Sequence, residues 1–228
     1  MVLDEVEIDD EDIAEALIAM ERSFGITFPQ DLTHVRTAGD LFDEIVKRRS
    51  PTEDGDRCDT AVTFFLLRRS LAAQGLEERA RPSLSLLGQS LGSPRKAKKR
   101  LERETGLQLP PVPMATRGCV LMVLFAVLGL GLPVYGYWAL AMVALAGIVI
   151  TASADRGAWT GDWETLGSLT RATAIRNVMR LGVRGARSHR RDWWRSFSAL
   201  LVDSTSAIHE KRFVEADEIG PATRFRFT

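Results

Sequence analysis

The stretch MERSFGITFP occupies residues 20–29, and a related stretch, LERETGLQLP, occupies residues 101–110. In each, a run with helical spacing is followed by a glycine and then, after three further residues, by a proline. A second pair of related stretches, TAGDL at 37–41 and TLGSL at 165–169, follows in the same order. Two such pairs in one order predict that one structural unit occurs twice in the chain.

The second copy is predicted to contain an insertion, because its two stretches lie much farther apart in the sequence than those of the first copy. The added interval includes the run Gly118–Thr151, which lacks Asp, Glu, Lys, Arg, His, Asn and Gln. As one helix this run would be about 51 Å long, whereas the hydrocarbon core of a bilayer is about 30 Å thick. Pro133 and Gly136 near its middle favour a chain reversal. We therefore predict a transmembrane helical hairpin within residues 117–154, with arms at about 118–132 and 135–152.

The charged residues around this run predict its orientation. Basic residues are frequent on both sides of it, and the turn between the two arms carries no charge. The positive-inside rule then places both termini in the cytoplasm, at the inner membrane of a bacterium.

An arginine-rich segment follows the apolar run. Residues 171–195 contain eight arginines and one acidic residue, Asp192. Such a segment is suited to anionic lipid headgroups or to a protein partner, whereas zero net charge in the whole chain argues against nucleic acid. The predicted contact residues are Arg176, Arg180, Arg184, Arg187 and Arg191.

Helical spacing dominates the rest of the chain, so the predicted fold class is mostly α. No segment alternates regularly enough to favour a strand over a helix. Capping signals and glycines bound the predicted helices at about 10–24, 38–49, 57–73, 94–105, 165–181 and 190–209.

The residue types that carry metal or nucleophilic chemistry are few. The three histidines have no paired spacing, and Cys58 and Cys119 lie far apart in the sequence. We therefore predict no metal site, no cofactor and no enzymatic activity.

Residues 9–49 resemble the second half of an acyl carrier protein, through an acidic helix, the sequence Phe-Gly-Ile-Thr-Phe-Pro and the later Thr-Ala-Gly-Asp-Leu. Members of that family are small helical bundles with phosphopantetheine on a serine that begins the second helix. Weaker resemblance covers 58–110, and the loops at Arg81–Leu86 and Gly220–Phe225 both resemble the loop after the first carrier helix. The resemblance aligns Asp10 with the attachment serine, which implies that this copy carries no phosphopantetheine. Ser90, in Gly-Gln-Ser-Leu, is a weak candidate in the second copy.

The predicted organisation has four segments. Residues 1–50 are carrier-like helices without the attachment serine, 51–116 a second carrier-like segment, 117–154 the hairpin, and 155–228 cytoplasmic helices that complete the carrier-like units. We expect the C-terminal helix to complete the N-terminal copy, as in a circular permutation. The predicted contacts join Phe24, Phe28 or Leu41 to Phe197, Leu200, Leu201 or Ile208.

These patterns predict a membrane-anchored, non-catalytic adaptor that docks a cytoplasmic or membrane protein at the cytoplasmic face. Two alternatives stay open. One is a membrane-tethered acyl or peptidyl carrier that uses a non-standard serine, and the other is a subunit of a lipid-modifying membrane enzyme.

Overall fold

The computed structural model describes residues 2–51, 57–76, 80–87, 89, 91–113, 115, 123, 126–127, 142, 146, 157–205, 208–209 and 212–227. The chain divides into two compact units. Unit 1 comprises Met1–Leu67, Leu107–Leu109 and Thr170–Thr228, and unit 2 comprises Arg68–Gly106 and Pro110–Leu169.

The chain is mostly helical, as predicted, with 55% of the structure in helices. Seven α-helices lie in the described part: α1 (Asp10–Phe24), α2 (Ala38–Arg48), α3 (Asp59–Ala72), α4 (Pro94–Thr105), α5 (Leu166–Ile175), α6 (Val178–Val183) and α7 (Arg190–Ser204).

The chain also contains strands, which the sequence did not indicate. Strand β1 (Leu3–Ile8) pairs in parallel with β6 (Ile219–Phe227) and antiparallel with β4 (Ile208–His209), which in turn pairs with β5 (Arg212–Phe213). The short strands β2 (Arg57–Cys58) and β3 (Ala186–Arg187) form a second, parallel pair. The pairings of β1 and β2 join segments far apart in sequence, and a local periodicity does not reveal them.

Two predicted helices also end earlier than expected. The last helix stops at Ser204 rather than at 209, because Ile208 and His209 belong to β4. The helix predicted at 165–181 is interrupted between α5 and α6 by Asn177. Its side chain accepts the Gln108 backbone N–H at 2.8 Å and donates to the carbonyls of Gln108 and Thr173, both at 2.7 Å. An asparagine that bonds to backbone groups in this way competes with the helical hydrogen bonds.

Elements from both ends of the chain share the core of unit 1. Phe24 and Leu41, from α1 and α2, belong to the same buried cluster as Phe197 and Leu201 of α7. The rings of Phe24 and Trp193 meet edge to face at 5.1 Å. Strands β1 and β6 contribute Leu3, Val6, Ile8 and Ile219 to the cluster. The predicted packing of the C-terminal helix against the N-terminal helices is therefore confirmed.

The two repeated stretches have the same local geometry. Helices α1 and α4 both end at a glycine in the left-handed conformation, Gly25 at φ 64° and Gly106 at φ 66°. In each case the glycine N–H donates to the carbonyl four residues earlier, Glu21 or Glu102. Glycine adopts this conformation without the steric cost that other residues incur.

The second pair of repeats matches as well. Thr37 caps α2 by accepting the Asp40 N–H at 3.1 Å, and the Asp40 carboxylate accepts the Thr37 N–H at 2.9 Å. Thr165 and Ser168 exchange the equivalent bonds, both at 3.1 Å, at the start of α5. Both pairs are capping boxes in which a shorter side chain replaces the usual glutamate.

The segments that pack on these two helix starts form the same kind of contact. Thr37 forms a β-bridge with Arg224, and Thr165 forms one with Ser85. Within unit 1 the segment is strand β6, whereas within unit 2 it is the loop before α4. The two helix starts therefore make the same kind of β-bridge, and the bridge in unit 1 is made with a segment that is distant in the sequence.

The core of unit 2 includes Trp163, which lies in the 3₁₀ turn Gly161–Trp163 and is fully buried. Its indole N–H donates to the carbonyl of Pro111 at 3.2 Å.

The predicted hairpin lies outside the described residues, except for Val123, Ala126, Val127, Met142 and Ala146. Those five residues are helical. Among the residues that the structure describes, no helix is both long enough and apolar enough to cross a membrane.

Candidate functional site

A surface groove of unit 1 is formed where α2, α7 and β6 meet. Its volume is about 370 Å³. It is lined by Gly39, Phe42 and Asp43 of α2, by Arg190, Arg191 and Trp194 of α7, and by Pro221 of β6. We call this surface the aromatic groove.

Local sequence fixes the two helices that bear the groove. The capping box of Thr37 and Asp40 starts α2 so that Phe42 and Asp43 fall in its second turn. The backbone N–H of Arg36 donates to the Asp40 carboxylate at 3.0 Å, and this bond, more than any other, lowers the pKa of Asp40. Asp40 thus stabilises the cap at neutral pH, and this contribution is lost as the pH falls through its lowered pKa.

Helix α7 begins with a second capping box, in which Asp192 accepts the backbone N–H of His189 at 3.1 Å. The start of the helix therefore places Arg190, Arg191 and Trp194 on one face, since residues three and four apart in a helix are neighbours.

Two aromatic rings, Phe42 and Trp194, line the groove, and Phe197 packs against both of them. Trp194 meets Phe42 edge to face, with ring centroids 5.1 Å apart at 84°, and lies 5.2 Å from Phe197. Phe42 and Phe197 are 5.5 Å apart. Phe197 is fully buried, whereas Trp194 is only partly buried, so its ring presents apolar surface to a ligand.

The groove has a positive rim. The Arg190 guanidinium lies over the Phe42 ring at 5.4 Å and pairs with Asp43 at 2.5 Å, so its charge is balanced within the groove. Arg191 is exposed and makes no ion pair with an acidic residue in the described ranges. A ligand therefore meets the exposed part of the Trp194 ring beside one unbalanced cation, which suits an apolar side chain next to a carboxylate.

Of the five predicted contact arginines, only Arg191 lines the groove. Arg176 is mostly buried, donates to the carbonyl of Ala172 at 3.1 Å and pairs with Asp203, so its contacts stabilise the fold. Arg180, Arg184 and Arg187 are exposed, the last within β3.

The sequence alone did not single out Phe42, Asp43, Arg190 or Pro221 as site residues. The sequence feature that could have indicated this site is the dipeptide Trp193-Trp194, which directly follows two arginines and an aspartate. Adjacent residues of a helix point in different directions, so the helix cannot bury both tryptophans equally. Trp193 is buried, with its indole N–H donating to Ser188 at 2.9 Å, and Trp194 faces the groove.

The position that the carrier resemblance aligns with the attachment serine lies at a helix start. Asp10 is the first residue of α1, and Asp9 caps that helix by accepting the Glu11 N–H at 2.9 Å. Ser90, the weak candidate in the second copy, lies outside the described residues. In the part of the chain that the structure describes, no group of three or more His, Cys, Asp or Glu side chains could hold a metal ion.

Comparison with protein families, with curated proteins and with solved structures finds no match to this chain.

Proposed function

We propose that this protein is a membrane-anchored adaptor that docks a partner protein through the aromatic groove of unit 1. The observation that carries this proposal is that the partly exposed Trp194 ring and the cation of Arg191 line the same groove. Aromatic residues and arginine are the residue types most enriched at the energetic centres of protein interfaces.

The charges around the groove favour an acidic partner segment. Arg191 lines the groove and makes no ion pair in the described ranges, whereas Arg190 is already paired with Asp43. The partner we propose is a short segment in which an apolar side chain packs against the Trp194 ring while a carboxylate pairs with Arg191. Opposite charges of this kind raise the association rate and fix the orientation of the bound segment.

The membrane part of the proposal rests on the apolar run and its basic flanks. Val123, Val127 and Met142, three of the residues described within that run, are exposed apolar side chains at 63%, 64% and 66%. Exposed apolar residues on helical backbone suit a lipid environment. We further propose that Arg180 and Arg184, both exposed on the segment after α5, contact anionic headgroups at the cytoplasmic face.

Peptide binding tests the docking proposal. We expect the full-length protein in detergent to bind a fluorescent octapeptide of alternating glutamate and leucine. Trp194→Ala and Arg191→Glu should each weaken its affinity at least tenfold, as for residues at the centre of an interface. Fluorescence anisotropy measures the affinity.

Two controls make this experiment decisive. Leu87→Ala removes an exposed apolar side chain of unit 2 and should leave the affinity unchanged. Peptides with serine for leucine, or with lysine for glutamate, should bind weakly. If Arg191→Glu binds the acidic peptide as tightly as the parent protein, the groove is not the docking surface.

Cysteine labelling tests the membrane topology. In a Cys58→Ser/Cys119→Ser background, we expect Lys99→Cys and Val183→Cys to resist a membrane-impermeant maleimide in intact spheroplasts and to react after permeabilisation. Both side chains are exposed on the protein surface, so burial would not hide them. Gly136→Cys, in the predicted turn of the hairpin, should react from outside and serves as the positive control. Reaction of only one of the two flanking cysteines in intact cells would mean that the run crosses the membrane once.

A further inference from the structure

A second cavity of unit 1, distinct from the aromatic groove, lies where the start of α3 meets α5 and α7. Its volume is about 400 Å³. It is lined by Cys58, Asp59 and Thr60, by Arg171, Ala174 and Ile175, and by Asp192, Arg195 and Ser196. We call it the Asp59 cleft.

Asp59 is the unusual group in this cleft. Its Oδ1 atom is buried and has no hydrogen-bond partner. Burial, and secondarily the negative charge of Asp192, raises the pKa of Asp59 to about 7. A buried polar atom without a partner is costly to a folded protein, and a perturbed carboxyl group of this kind in a cleft marks a candidate ligand site.

The other charged groups of the cleft leave it positive when Asp59 is protonated. Arg171 has no acidic partner within the described residues. Arg195 lies 3.9 Å from Asp192, whose other carboxylate oxygen caps α7. Two guanidinium groups thus face a single carboxylate, and Arg187 lies next to Cys58 in the β2–β3 pair.

The hydrogen-bonding groups are also suited to an acceptor-rich ligand. Arg171, Arg195 and the hydroxyls of Thr60 and Ser196 all donate, and a protonated Asp59 adds another donor. Guanidinium groups bind the oxygens of phosphate and carboxylate in a forked geometry, and this geometry makes such contacts strong.

We propose that the Asp59 cleft binds an oxyanion, the phosphate or carboxylate group of a small molecule, between Arg171 and Arg195, with Asp59 as a donor from the opposite side. Deprotonation of Asp59 would place a second negative charge beside that of Asp192 and would weaken binding. The site therefore works at or below neutral pH and releases its ligand as the pH rises above the pKa of Asp59.

Titration of the full-length protein in detergent with sulfate and with acetate tests this proposal. The two probes represent the tetrahedral and the planar oxyanion, and neither changes its charge between pH 6 and pH 8.5, so any pH dependence belongs to the protein. We expect at least one of them to bind, with an affinity at least tenfold higher at pH 6 than at pH 8.5. Calorimetry at constant ionic strength, balanced with chloride, measures both affinities, and the probe that binds more tightly identifies the oxyanion geometry.

Three variants locate the site. Arg171→Gln should weaken binding at least tenfold at pH 6, whereas Arg100→Gln, on the exposed surface of α4, should have no effect. Asp59→Asn keeps the size of the side chain and removes its titration, so its affinity should be the same at both pH values. The proposal is overturned if neither probe binds, if Arg100→Gln weakens binding as much as Arg171→Gln, or if Asp59→Asn retains the pH dependence of the parent protein.

Discussion

Replacing Phe197 by alanine is expected to lower the free energy of unfolding of unit 1 by about 3–5 kcal/mol, the range for loss of a fully buried phenylalanine. Phe197 is completely buried, belongs to the same core cluster as Phe24 and Leu41, and lies 5.5 Å from Phe42. The substitution leaves a cavity between the N-terminal helices and α7, and the surrounding structure closes such a cavity only in part. Urea unfolding of the full-length protein, followed by tryptophan fluorescence, measures the loss.

The matched control is Phe213→Ala, which removes the same ring from the same part of the chain. Phe213 is 74% exposed, so its replacement should change the unfolding free energy by no more than about 0.5 kcal/mol. If the two substitutions cost the same, or if Phe197→Ala costs less than about 1 kcal/mol, the joint core of the two chain ends is absent in solution.

The sequence was most informative where a signal is local. Glycines in the left-handed conformation ended α1 and α4 at Gly25 and Gly106, as the repeated stretches predicted. Thr37 directly precedes α2 and caps it for the same reason, because a cap depends on a few neighbouring residues, whereas Ser93 precedes α4 without a side-chain capping bond. The repeat was visible in the sequence because both stretches preserve these local signals in the same order.

The sequence was least informative where the partner of a segment is distant. Leu3, Val6 and Ile8 are buried in a strand, but two successive acidic residues, Asp4 and Glu5, interrupt the alternation that would have indicated it. The strand exists because β6, near the opposite end of the chain, supplies its parallel partner. The aromatic groove was not predicted for the same reason, since Phe42 and Trp194 are distant in the sequence.

Replacing Gly39 or Gly167 by alanine is expected to destabilise unit 1 or unit 2 respectively. A Cβ atom on Gly39 would lie 2.6 Å from the carbonyl oxygen of Pro221, and one on Gly167 would lie 2.9 Å from that of Pro82. Both oxygens belong to the backbone, so relief of the clash requires β6 or the loop at Pro82 to move, at a cost of about 1–3 kcal/mol for each substitution. The better helix propensity of alanine offsets at most about 1 kcal/mol of that cost.

Hydrogen exchange measured on peptides from 36–48 and 161–169 would separate the two units, because each substitution should increase exchange only in its own copy. Gly220→Ala is the control, since its Cβ would meet the Cγ1 atom of Val2, which is 58% exposed and can rotate away. Equal losses of stability at Gly39 and Gly167 would show that this contact contributes equally to the stability of the two copies, which then share more than a sequence pattern. A loss of stability at Gly39 alone would mean that only the copy in contact with the C-terminal segment depends on this close approach. The equivalence of the two copies would then be limited to their backbone geometry.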